Sequence, residues 1–141
     1  MFVGHFAVAF GAKRAVPAVS LGTLFVACQL ADLIWPLLVI AGVERVGVQP
    51  GLIVVTPLDF IYYPFSHSLL AAAVWAGLFG AAYVVLGKST VKTGAVLAFV
   101  VVSHWLLDAL THRPDMPLTV SASSTRVGLG LWDSLAGTME V

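Results

Sequence analysis

Charge is what this sequence has least of. Seven basic and seven acidic side chains make up 10% of 141 residues, against about 25% in an average soluble domain. A solvated globular surface is thereby excluded, and the 60% hydrophobic content predicts an integral membrane protein of one domain, residues 1–141. The formal net charge is zero, so no basic face for nucleic acid is expected. The single cysteine, Cys28, excludes an intrachain disulfide framework. There is no low-complexity tract and no internal repeat. A cleaved lipoprotein leader is also set aside. Lys13 and Arg14 do precede an apolar run ending at Cys28, but residues 1–12 are apolar where a leader is basic, and the chain stays hydrophobic to Val43.

What is present is long apolar runs. Between Ala15 and Val43 the only charge is Asp32. About 20 apolar residues cross a bilayer, so residues 19–42 are predicted to form a span, kinked at Pro36. Residues 68–86 carry no ionisable side chain but Tyr83 and predict a second span, with Pro64 before it and Ser66 as N-cap. Residues 93–111 predict a third. Residues 1–12 reach only about 18 Å as a helix and read as a half-helix or re-entrant segment. Residues 128–141 open a further span and stop at about half its length, as the front part of a longer protein would. The fold expected is an all-α polytopic membrane helical bundle: a short N-terminal half-helix, three full transmembrane helices and the start of another. Lys13, Arg14, Lys88 and Lys92 mark the cytoplasmic side, which directs residues 19–42 outward, 68–86 inward and 93–111 outward.

Each apolar segment carries an ionisable group that lipid should exclude: His5, Asp32, His67, and the run His104, Asp108, His112. Such a group inside a membrane is a functional-site candidate by default. The orientation drawn from the basic loops brings all four to the outer half, with Asp32 roughly 15 Å deep. His104, Asp108 and His112 are spaced four apart and share one helix face. Imidazoles and carboxylates without thiolates suit a divalent metal; the competing reading is a hydrogen-bonded His–Asp pair that glues helices together. Asp32 reads as a ligand or as the partner of His104. His67, at a helix start, reads as a ligand or a cap, with a phosphate favoured near the helix's free N–H groups. His5 alone is the weakest candidate. His112, Asp59 and Arg113 are candidates for the mouth of the site, Arg113 and Arg126 for an anionic substrate or headgroup. Tyr62, Tyr63 and the tryptophans Trp35, Trp75, Trp105 and Trp132 read as packing or interfacial anchors.

Gly4–His5, Leu30–Ala31–Asp32 with Pro36, Phe65–Ser66–His67–Ser68–Leu69, and Ser103–His104 through Asp108 to Thr111 with Pro117–Leu118 occur in one order. That order resembles the membrane-bound metal-dependent hydrolases, an inner-membrane group described as LexA-binding and hydrolase-like, across residues 4–118. The Ser-His-x-x-x-Asp and Phe-Ser-His-Ser elements are fairly specific together and weak singly. The resemblance implies His5, Asp32, His67, His104 and Asp108 as the metal set, somewhat like that of zinc-dependent phospholipase C. Two positions depart from the pattern. Ile34 stands where a second Asp is frequent, and Tyr62–Tyr63 stand where His-Arg is frequent; both changes remove candidates for a second metal or a catalytic acid/base.

Two functions follow. One is a hydrolase of the cytoplasmic membrane with a divalent metal, Zn²⁺ by its donors, acting on a lipid or lipid-linked phosphoester, with Asp32 or His5 as general base. The other is a non-catalytic membrane subunit with a structural His/Asp core, packed against a membrane-protein partner or a second copy.

Overall fold

The long apolar runs of the sequence form helices, in which each segment satisfies its own backbone hydrogen bonds, as a crossing of hydrocarbon would require. The computed structural model describes residues 2–50, 57–87 and 89–131. In order these form α1 (Phe2–Ala15), α2 (Leu21–Cys28), α3 (Leu30–Ile40), β1 (Arg45–Val48), β2 (Leu58–Tyr62), α4 (Pro64–His67), α5 (Leu69–Leu86), α6 (Val91–Thr111), β3 (Met116–Pro117) and β4 (Arg126–Val127). The structure is mostly helical, and α5 and α6 are each long and apolar enough to cross a membrane. Leu70, Val74, Leu78 and Val85 on α5, and Val91, Phe99 and Leu106 on α6, face outward uncovered, as lipid-facing side chains do.

The expected three full spans are corrected to two straight ones. Residues 19–42 form α2 and α3, bent by 54° at their junction. The break falls at Gln29, whose φ/ψ of −110°/12° leaves the helical region, and Pro36 sits inside α3 without causing it. The all-α expectation is corrected as well. β1 pairs antiparallel with β2 and β3 with β4, because β-branched and aromatic residues alternate through Val46–Val48 and Phe60–Tyr62 and favour a pleated pair. Ser66 lies inside α4; the cap of α5 is Ser68, whose Oγ accepts from the Ala71 N–H at 3.0 Å. The start of a further span after Gly128 and the side chain of Trp132 fall, apart from residues 128–131, outside the described residues.

One core joins α1, α2, α5 and α6 through Ala9, Leu24, Ala27, Ala76, Leu97 and Val100. A second, of Tyr63, Ala72, Trp105 and Met116, ties the strands to the start of α5 and the end of α6. Between α5 and α6 the backbones touch. A Cβ at Gly80 would lie 2.6 Å from the Gly94 carbonyl oxygen, and one at Gly94 2.9 Å from that of Gly80. Backbone cannot yield as a side-chain tip can, so only glycine fits. Gly80→Ala is expected to cost about 1–3 kcal/mol by overpacking, read as a lower melting temperature in detergent. Gly77→Ala, with nothing within 4 Å of its Cβ, should leave that temperature in place.

Candidate metal centre

The bend at Gln29 has a chemical use. In a continuous helix the Cys28 carbonyl would be committed to the N–H four residues on. Here it lies 2.7 Å from His104 Nδ1. A carbonyl only accepts, so Nδ1 carries the proton and the neutral ring turns a bare Nε2 lone pair the other way. That Nε2 lies 3.2 Å from Asp108 Oδ2 and 3.7 Å from Asp32 Oδ1, and has no hydrogen-bond partner. A lone pair held between two carboxylates is repulsive unless a cation or proton lies among them.

The remaining members arrive from other elements. α1 supplies His5, whose Nε2 is 3.3 Å from Asp108 Oδ1 and whose ring stacks on that of His104 at 3.9 Å. α4 ends on His67, whose Nε2 is 3.4 Å from Asp32 Oδ1. Asp32 stands in the first turn of α3, where the positive end of the helix favours a carboxylate. His5, His104, Asp108 and His67 are buried, while the Asp32 side chain keeps 28% of its surface and is the open edge. His112, the C-cap of α6, reaches Asp108 Oδ1 at 4.0 Å, so all four histidines of the chain gather at one place. His5, His104 and Asp108 form one set of donors able to hold a metal ion, and Asp32, His67 and His104 a second that shares His104.

The donor spacing fits a metal. Ligand distances of about 2.0–2.2 Å give tetrahedral edges of about 3.3–3.6 Å, close to the 3.2–3.7 Å contacts here. The charge fits as well. One buried and one half-buried carboxylate side by side require compensation, and a divalent cation supplies it without protonating the stacked imidazoles. The structure thus brings together the five residues implied as metal ligands; among buried, orphaned nitrogens are His104 Nε2 and both nitrogens of His5.

The other expected mouth residues are engaged with each other. Arg113 Nη2 donates to Asp59 Oδ1 at 2.8 Å and Arg113 Nε to Asp115 Oδ2 at 3.1 Å, so this guanidinium is committed within the protein. Arg126 donates to the Ile61 carbonyl. Burial alone would raise the Asp115 carboxyl, but hydrogen bonding and charge from His112, with the Arg113 guanidinium, outweigh it and hold the group below the usual carboxylate range. His112 Nδ1, 3.4 Å from Asp115 Oδ1, therefore links the centre to this outer ion-pair network. Tyr63 is no interfacial anchor: it is buried, donates to the Asp115 carbonyl, and burial pushes its hydroxyl up. Tyr62 faces Arg45, whose guanidinium carbon lies 5.7 Å from the ring centre. Trp75 and Trp105 donate to the Phe65 and Pro117 carbonyls, and Trp35 packs on Phe60.

Sequence reading missed Glu44. It is 1% exposed. Its Oε1 accepts from the Phe65 and Ser66 N–H groups at 2.7 and 2.9 Å, and its Oε2 from the Ser66 hydroxyl at 2.6 Å. The phosphate expected at this helix start is thereby replaced by a carboxylate of the chain itself. Three free donors on Phe65–Ser66 were the available signal, but nothing in the sequence says which acid reaches them from 21 residues away. Comparison with family models, curated proteins and solved structures finds no match to this chain.

Proposed function

We propose that this chain is a membrane-embedded, metal-dependent hydrolase of the cytoplasmic membrane, multi-pass, acting on a lipid-linked phosphoester from a centre in the outer half. The observation that carries this reading is the bare His104 Nε2 held between Asp32 and Asp108. Zn²⁺ is the cation its nitrogen and oxygen donors suit best, with His5, His67, His104 and Asp108 as the holding groups. A divalent cation, when bound, supplies Lewis acidity toward a phosphoryl oxygen and acidifies water. His5 is fully buried, which suits a ligand and leaves the general-base role to Asp32, the carboxylate at the open edge. Asp32 Oδ1 is placed to take the proton from the attacking water. A small crevice of about 10 Å³, room for about one water, lies beside His67 and His104 between Trp75 and Trp105.

The second reading is a non-catalytic subunit bound to a membrane partner or a second copy. The near-complete burial of His5, His104 and Asp108, with Ile34 and Tyr62–Tyr63 in place of polar groups, favours it. Turnover decides between them. With Zn²⁺ supplied, purified protein should hydrolyse a phospholipid or an aryl phosphodiester, and Asp32→Asn should slow it about 10²–10⁴-fold. A metal-loaded protein that hydrolyses neither would leave the subunit reading standing.

A further inference from the structure

The His67 ring is tied at its far side to a chain of two groups, Ser66 and Glu44, that take no part in the proposed proton transfer. Its Nδ1 lies 2.7 Å from Ser66 Oγ, and Ser66 Oγ lies 2.6 Å from Glu44 Oε2. A hydroxyl has one proton to give. The Tyr63 carbonyl is a poorer recipient at 3.4 Å, and the Glu44 carboxylate, with its other oxygen already accepting two backbone N–H bonds, can only accept. The Ser66 proton therefore goes to Glu44, and toward His67 the serine oxygen can only accept. His67 Nδ1 must then donate, which in the neutral ring leaves Nε2 bare and facing Asp32.

We infer that Glu44 and Ser66 are positioning residues that set the tautomer of His67 and so present its Nε2 as a metal ligand. Outer partners of this kind fix ring orientation and the donor nitrogen at metal-binding histidines. His104 reaches the same state through the Cys28 carbonyl; the two bare nitrogens belong to the set of donors that includes Asp32. The consequence for metal rests on the proposed metal centre, whereas the tautomer itself does not.

Glu44→Gln is the discriminating variant. The two backbone N–H groups hold the amide oxygen where Oε1 stands, so the amide nitrogen takes the place of Oε2 and donates to Ser66. Ser66 then donates to His67 Nδ1, and the ring proton moves to Nε2. Ser66→Ala instead removes the link and leaves His67 free to adopt either form. Ring ¹⁵N spectra of metal-free protein should show His67 as the Nδ1–H tautomer in the wild type and as Nε2–H in Glu44→Gln. Co²⁺, used as a spectroscopic probe, should bind Glu44→Gln about 10- to 100-fold more weakly than wild type, and Ser66→Ala with a smaller loss. A merely structural Glu44 would change thermal stability without moving the ring proton. Wild-type His67 found as Nε2–H, or a Glu44→Gln variant that keeps Nδ1–H, would overturn the inference. If the wild type binds no Co²⁺, the metal reading falls and the tautomer measurement alone still decides the relay.

Discussion

Chelation of divalent metal from the detergent-purified protein should lower its melting temperature by roughly 10 °C. A ligand present at about a thousand times its dissociation constant stabilises the folded state by about 4 kcal/mol, and a chain of this size shifts by about 2–4 °C for each kcal/mol. The cause is local. Removing a +2 ion would leave Asp32 and Asp108 within 3.7 Å of a bare imidazole nitrogen, with the stacked rings of His5 and His104 unable to take up two protons without repelling each other. Adding back Zn²⁺ should restore the transition, and metal analysis should return about one ion per chain, the number one shared His104 nitrogen can serve. Protein that is purified free of metal, and whose melting curve neither chelator nor Zn²⁺ moves, would rule out the centre.

Asp108→Ala should have the second largest effect. Asp108 lies 3.3 Å from His5, 3.2 Å from His104 and 4.0 Å from His112, so its loss removes the carboxylate that three imidazoles share. Breaking a buried pair in this way costs about 3–5 kcal/mol. Asp108→Asn keeps the shape and one acceptor oxygen and should cost less. Both variants should lose metal, since neither retains the charge that balances the ion, and both should still insert, because insertion depends on apolar segments of about 20 residues. The check is metal content and melting temperature measured side by side with membrane fractionation. An Asp108→Ala protein that retains metal and wild-type stability would remove this residue from the site.

Much of this arrangement follows from local rules. The apolar runs that became α5 and α6 were readable because partition into lipid depends on composition, not on neighbours. The shared face of His104, Asp108 and His112 followed from a helical repeat of 3.6 residues, and Asp32 stood out because a lone carboxylate in such a run needs a reason. The interruption between α2 and α3 was not readable. Pro36 looked like the place for a bend, yet the chain bends at Gln29, where the freed Cys28 carbonyl gains His104 as a partner from α6, 76 residues away. The strands were not readable because runs of two to five residues carry too little periodicity to separate pairing from loop. Arg113 looked available for an anion until the fold supplied Asp59 and Asp115. Nothing local marked Glu44, which α4 meets with two N–H groups and a serine hydroxyl. The sequence by itself determined which residues must leave water and which polar ones resist leaving it, because those are free energies of single side chains and single helices. Tertiary structure alone decided how the resisting groups are satisfied, because a hydrogen bond or ion pair between distant residues depends on where the backbone carries them and leaves no local periodicity to read.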